Sequence, residues 1–277
     1  MRKILVIVGL ICLCGCAEFS ENCHYTGVVD LSIDKSNLSP ETKKMKAVFY
    51  CDGNPTLIFD LHGDTVLSSI NAGKNNILLI NDVSEVSFDN LNNKESAQIS
   101  LKTLTKGKKV YVNSAPLIFT DKKNIDVLPF DTVKVRFIPI LSEKKINFKF
   151  QINGDVNVSS LSAELSGIQT KYSLSSMSAI SSEAILPFDG IMSKENNFSK
   201  SIFTLGINKK TGIKKLLSIK LNMSDQMNLN QNIDLTDKLD NSDGAVIDCT
   251  IIISINKTQL YTTIQDWTTH DWGAINF

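Results

Sequence analysis

The chain has 277 residues, with 29 Lys+Arg against 29 Asp+Glu, and is 42% hydrophobic but only 7% aromatic. That length allows two ordinary domains. Nothing in the even charge balance suggests nucleic acid, whose binding needs a clustered basic footprint, and with Arg2 and Arg136 as its only arginines the chain has little from which to build bidentate phosphate clamps.

The first predicted element is a secretory signal. Arg2 and Lys3 precede a short apolar run from Ile4 to Cys12, and Gly15 stands before Cys16. The run is too short for a bilayer span, which needs about 20 apolar residues. Leu13-Cys14-Gly15-Cys16 resembles the lipobox of bacterial lipoproteins. The resemblance implies removal of residues 1–15 and acylation of Cys16, giving a body tethered to the outer membrane by lipid. Two or more acyl chains, at about 0.8 kcal/mol per buried methylene, anchor stably where one chain holds only marginally. Loss of Arg2 and Lys3 leaves 27 basic against 29 acidic residues, a formal charge of −2. Residues 16–26 carry Glu18 and Glu21 without periodicity and read as a tether.

Strands follow. Val29, Leu31 and Ile33 alternate with Asp30, Ser32 and Asp34, the period of a half-buried strand. Asn37-Leu38-Ser39-Pro40 interrupts it, Met45 to Cys51 resumes it, and Asp52-Gly53-Asn54-Pro55 is a turn. Further strands are expected over residues 56–61, 65–70, 76–80 and 85–88. Residues 89–105 fit a short helix or an irregular crossover equally, residues 111–119 read as a candidate strand pair, and Asp121 to Asn124 reads as a polar connector. A domain boundary is placed near Leu128, dividing an N-terminal β-sandwich of residues 27–128 from a C-terminal one of residues 129–277. In the second half, residues 132–137 and 145–152 alternate clearly and are expected to form a hairpin through Ser142-Glu143-Lys144. Strands at 161–165, 171–174, 202–206, 217–223 and 246–255 are expected around one helical turn capped by Asp234. Many short strands with frequent turn signals indicate an all-β chain of two tandem sandwiches.

Candidate chemistry is sparse. With Cys16 acylated, Cys23, Cys51 and Cys249 remain in a compartment that permits disulfides. Cys23 with Cys51 is the favoured pair, because the two strands flanking them return to one edge; burial of all three as small apolar residues is the alternative. His24, His62 and His270 lie at no metal-ligand spacing, and no phosphate loop or nucleophile elbow is present, so no catalytic residue, metal or cofactor is expected. Phe59 to Asp64 is the most site-like cluster but reads as a turn, and Asp240 to Gly244 mimics part of a calcium loop without its twelfth-position glutamate. Asp64-Thr65-Val66 and Asp131-Thr132-Val133 resemble the tripeptide that Bacteroidota proteins O-glycosylate, with chance as an equal alternative. Trp267 and Trp272 near the C-terminus suit a glycan platform, a protein contact, or one packed ring and one exposed ring.

The order of these pieces is similar to the fimbrillin-like lipoproteins of Bacteroidota, of the fimbrial anchor or accessory type that includes minor-fimbrium anchors. The residues that carry the likeness are Val48 to Gly53, Asn71-Ala72-Gly73, Leu79-Ile80-Asn81-Asp82, Ala163 to Gly167, Phe203-Thr204-Leu205-Gly206 and Ile233 to Asp237. The resemblance implies two transthyretin-like β-sandwiches on the cell surface, without enzymatic activity, binding fimbrial subunits by β-strand addition. It also implies that polymerising shaft subunits are cleaved after an arginine, for which the mature chain has Arg136 alone. A surface glycan-binding lipoprotein is the alternative, disfavoured by scarce aromatics.

Overall fold

The computed structural model of the chain describes residues 25–271, apart from 41, 43, 155, 194, 195, 225, 226, 257 and 258. The expected signal peptide, Cys16, Cys23, His24 and Trp272 lie outside the described residues. The first half forms β1 (Thr26–Ile33), β2 (Met45–Cys51), β3 (Leu57–Leu61), β4 (Thr65–Asn71), β5 (Gly73–Asn81), β6 (Val86–Asp89), β7 (Gln98–Leu101), β8 (Thr103–Lys106), β9 (Lys109–Val112), β10 (Phe119–Val127), β11 (Thr132–Phe137) and β12 (Ile140–Leu141). The second half forms β13 (Lys144–Asn153), β14 (Val158–Ile168), β15 (Lys171–Ser173), β16 (Ser178–Ile180), β17 (Ala184–Ile191), β18 (Asn197–Thr204), β19 (Leu216–Met223), β20 (Asn228–Asp234), the helix α1 (Thr236–Asp240), β21 (Val246–Asn256) and β22 (Gln259–His270). The fold is all-β, as the alternation predicts.

One seven-strand topology occurs twice. In the first half β11-β1-β4 faces β10-β5-β2-β3; in the second, β21-β13-β18 faces β20-β19-β14-β17. Each opening strand pairs parallel with a late one, β1 with β11 and β13 with β21, and the remaining neighbours pair antiparallel. Two additions break the likeness. β22 covers the outer edge of β21, and the β8–β9 hairpin extends the sheet beyond β17.

Burial explains the strands. β1 alternates half-buried with buried residues along its whole length, placing Val29, Leu31 and Ile33 in the first core with Phe49, Ile77, Leu79 and Phe137. β2 is buried almost throughout, because its sheet is covered on both faces: Ala47 and Phe49 point into the first core, Val48 and Tyr50 into the second. A strand covered twice reads as a continuous apolar run. Its outer cover is a composite sheet, β16-β15-β7-β6, in which Tyr172 of the second half pairs with Ile99 of the first.

Several expectations are corrected. The hairpin of residues 132–137 with 145–152 does not form; β11 pairs with β1 and β13 with β18 and β21, so each run finds its partners far along the chain. β11 pairs with β1 and β12 with β10, so strand pairing within the first half runs on to Leu141. Residues 98–106 form two strands and no helix. The expected connector Asp121 to Asn124 is the middle of β10, where side chains meet their own partners: Asp121 accepts the Ile138 N–H at 2.7 Å, Lys122 donates to the Ser175 carbonyl at 2.9 Å, and Asn76 donates to Asn124 at 2.5 Å.

The passage from β12 to β13 buries a carboxyl group. Glu143 is 2% exposed and accepts the Ile118 N–H, and burial pushes its titration well above the usual carboxylate range. A carboxyl whose folded titration is raised contributes stability fully below its unfolded value, about 4.3, and loses it as pH rises through the folded value. Glu143→Gln keeps an acceptor for Ile118 while removing the titration. Urea midpoints measured between mildly acidic and alkaline pH should show the variant gaining on the parent as pH rises; a constant difference would refute the assignment.

Candidate functional site

The duplicated topology exposes a difference between the two halves. β21 has β22 on its outer edge, whereas the equivalent β11 pairs, among the described residues, with β1 alone. The bonds from Val28 N to Asp131 O and from Asp34 N to Phe137 O, both 2.8 Å, fix the phase of this parallel ladder. Val133, Val135 and Phe137 therefore turn their main-chain groups toward β1, and Thr132, Lys134 and Arg136 present theirs outward. Such a row of open donors and acceptors is a template for another strand. Arg136 sits on it, bound to Asp34 at 2.6 Å; hydrogen bonds from Ser36 and Arg136 hold the Asp34 carboxyl down to about 2.

A second feature lies on the outer face of the six-stranded sheet. A concavity of about 580 Å³ is floored by the outward residues of adjacent strands, among them Ser162 and Glu164 of β14, Asp189 of β17 and Lys220 of β19. It adjoins another of about 460 Å³ beneath the β8–β9 hairpin; Glu164 and Pro187 line both. The hairpin segment Lys102 to Lys109 carries four lysines in eight residues and turns at Gly107, whose φ of 61° suits glycine. Lys106 Nζ lies 5.7 Å from the Tyr111 ring centroid.

The residues singled out by sequence are scattered. Cys51 is buried at the end of β2, where Asn54 donates to its sulfur at 3.5 Å; its pairing with Cys23 involves a residue outside those described. Cys249 is buried in β21, and burial pushes its thiol up to about 12. His62 is exposed in the β3–β4 turn, and both acids beside it are engaged: Asp60 by Lys46 at 2.7 Å and Asp64 by the Ile33 N–H at 2.8 Å. Among the described residues no group of three or more His, Cys, Asp or Glu could hold a metal.

The calcium-like loop holds a cation of the chain itself. Lys144 Nζ donates to the carbonyls of Ser242, Asp243 and Gly244 at 3.2, 3.2 and 2.9 Å. Burial lowers the Lys144 titration, with Lys209 adding repulsion. Trp267 is half-buried and donates to Ser242 Oγ at 3.0 Å, so this ring braces the loop. Thr65 and Thr132, of the two Asp-Thr-Val tripeptides, lie on the two outer strands of the sheet β11-β1-β4, Thr132 exposed. Sequence reasoning missed the groove because its floor is drawn from four strands distant along the chain; the lysine run of residues 102–109 was its one legible signal.

No family model and no curated protein matches this chain. Its fold is similar to that of a candidate adhesin from Bacteroides ovatus, with TM-score 0.60 and 13% identity over 77% of this chain and 84% of that one. The fimbrial anchor protein Mfa2 from Porphyromonas gingivalis gives 0.58 and 10%, over 89% of this chain and 99% of that one. A structure described as candidate polysaccharide-binding proteins from Bacteroides thetaiotaomicron gives 0.52 and 11%, over 90% and 98%.

Proposed function

We propose that this chain is a fimbrillin-like surface lipoprotein without enzymatic chemistry, an anchor or accessory subunit of fimbriae held to the outer membrane through acylated Cys16. Partner fimbrial subunits add a strand to the outer edge of β11. The observation that carries this reading is the edge of β11, unpaired among the described residues, in the position that β22 fills in the second half. Main-chain bonds along that edge would supply affinity, and alternate side chains would set register. The fold shared with a fimbrial anchor supports the same reading. Arg136 lies in mid-strand with its guanidinium on Asp34, a poor target for cleavage, in keeping with a subunit that stays tethered. Tyr25 lies nine residues beyond Cys16, so the lipid would keep its end of the molecule within about 30 Å of the bilayer. A Tyr25–Phe130 edge-to-face pair stands at this end, with Phe130 84% exposed.

Lys134→Pro removes an outward N–H and leaves the β1 ladder intact, since edge strands tolerate proline. Pull-down from outer membranes with the parent chain should recover fimbrial subunits, and the variant should lose them while melting like the parent. Recovery of soluble glycan without any fimbrial subunit would defeat the reading. Cys16→Ser should move the chain to the soluble fraction and abolish incorporation of labelled palmitate.

Glycan binding is the second reading. The groove on the six-stranded sheet, with Ser162, Glu164, Lys220 and Asn230 in its lining, favours it, together with the fold shared with the candidate polysaccharide-binding structure.

A further inference from the structure

We infer that the double concavity on the six-stranded sheet is a binding site for an acidic oligosaccharide, with lysines taking its carboxylate or other anionic groups and the strand floor taking its hydroxyls. This inference rests on the glycan reading and gives that reading a ligand class and an address.

The charges in the groove carry the argument. Lys102, Lys106, Lys109 and Lys220 line it against only Glu164 and Asp189, a local excess of positive charge on a chain that is neutral overall. This chain pairs Lys46, Lys209 and Arg136 with carboxylates at 2.6–2.7 Å. Among the described residues none of Lys106, Lys109, Lys220, Glu164 and Asp189 makes an ion pair. Glu164 and Asp189 sit on neighbouring strands, β14 and β17, and Lys220 on β19 on the other side of β14. Lys102 is held by the Ser84 carbonyl at 2.7 Å, so Lys109 and Lys220 supply the groove's ammonium donors and Glu164 and Asp189 its carboxylate acceptors.

The other lining groups suit a sugar. Ser162, Ser218, Asn230 and Asn232 put short donors and acceptors on the floor, matching hydroxyls whose spacing repeats from residue to residue. Tyr111 and Pro187 give flat apolar surface for the C–H faces of a ring. A nucleic acid would ask for phosphate clamps and several stacking rings, and the groove has no arginine and one tyrosine. Two adjoining concavities, about 580 and 460 Å³, have room for an oligomer of several sugars.

The test uses the full-length protein in detergent, with a hexamer of galacturonic acid and sialyllactose as acidic probes and a neutral galactose hexamer and lactose as their counterparts, read by calorimetry. At least one acidic probe should bind, its neutral counterpart about tenfold more weakly or worse, and the acidic affinity should fall as salt is raised. Lys109→Glu with Lys220→Glu, both on the exposed face, should weaken the acidic probe by at least about tenfold while leaving the melting temperature unchanged. Equal binding of acidic and neutral probes would overturn the acidic assignment and leave the glycan reading standing. Binding that survives the charge reversal would overturn the address, and binding of no probe would overturn both. Strand addition at β11 is untouched by any of these outcomes.

Discussion

Replacing Phe150 by alanine is expected to lower the unfolding free energy by about 3–5 kcal/mol. Phe150 is fully buried on β13, where it meets three other rings: Phe148 at 5.8 Å, Phe188 at 6.4 Å and Phe198 at 5.9 Å between centroids. Phe188 belongs to the opposite sheet, so Phe150 and Phe148 tie the two layers of the second sandwich together. The site cannot collapse easily onto a deleted ring. Phe198 is held against Gly190, at which a Cβ would come within 2.0 Å of the ring, and so it already occupies the one gap a glycine leaves. A total stability of about 5–15 kcal/mol makes the expected loss a large fraction of the whole. Phe150→Leu also forfeits the ring contacts but keeps most of the volume and leaves a smaller cavity, so it should cost less than the alanine variant. Urea unfolding measures both; an unchanged slope with a lower midpoint for alanine is the expected pattern. A loss below about 1 kcal/mol would mean that the rings do not close the sandwich.

The fold class was legible because period two survives wherever one face is wet, as in β1, β13 and β19. Pairing was not legible, because β1 meets β11 and β13 meets β21 across roughly a hundred residues, and nothing local records a parallel partner. β10 was missed because Asp121, Lys122 and Asn124 look like a loop until their partners are known. The motifs that carry the resemblance prove to be packing devices. Asn81 is 2% exposed and staples β5 to the start of β10, donating to the Leu117 carbonyl and accepting the Phe119 N–H, both at 2.8 Å. Thr204 bonds both the carbonyl and the N–H of Gly206, where a Cβ would strike Ala179 and Gln169 at 2.6 Å. Asp234 accepts the Thr236 N–H at 2.9 Å and so opens α1, one residue before the Leu235 that occupies the cap position. Motifs of this kind report a fold. The open edge of β11 and the lysine groove are properties of the assembled sheets, and only the lysine run had a local trace.

Asp240→Ala should be nearly as damaging as loss of the core ring, although Asp240 is at the surface of α1. Its carboxylate is within 2.8 and 3.0 Å of Lys215 Nζ, and the Lys215 side chain has no solvent exposure at all. Removing the acid leaves an ammonium sealed in the protein, a change that costs about 3–5 kcal/mol where both partners are buried. The Asp240 side chain is 34% exposed, so water can partly replace it, and the lower end of that range is expected. The reverse deletion should be milder. Lys215→Met keeps the stem volume and leaves a carboxylate that is buried at Oδ1 but 34% exposed as a side chain, so a smaller loss than that of Asp240→Ala is expected. The lysine is committed by its surroundings: its N–H bonds the Thr236 hydroxyl at 3.0 Å, its carbonyl accepts the Leu235 N–H at 2.9 Å, and its stem fills the space over Gly167. Gly167 has φ +77°, and a Cβ there would come within 2.8 Å of Lys215 Cγ, so Gly167→Ala combines left-handed backbone strain with a clash. If the ion pair holds α1 against β19, thermal melts should rank the damage Asp240→Ala above Lys215→Met, and the double variant should recover most of the loss, because no buried charge then remains. Equal damage from the two single variants would assign the stability to packing of the stem and remove the ion pair from the account.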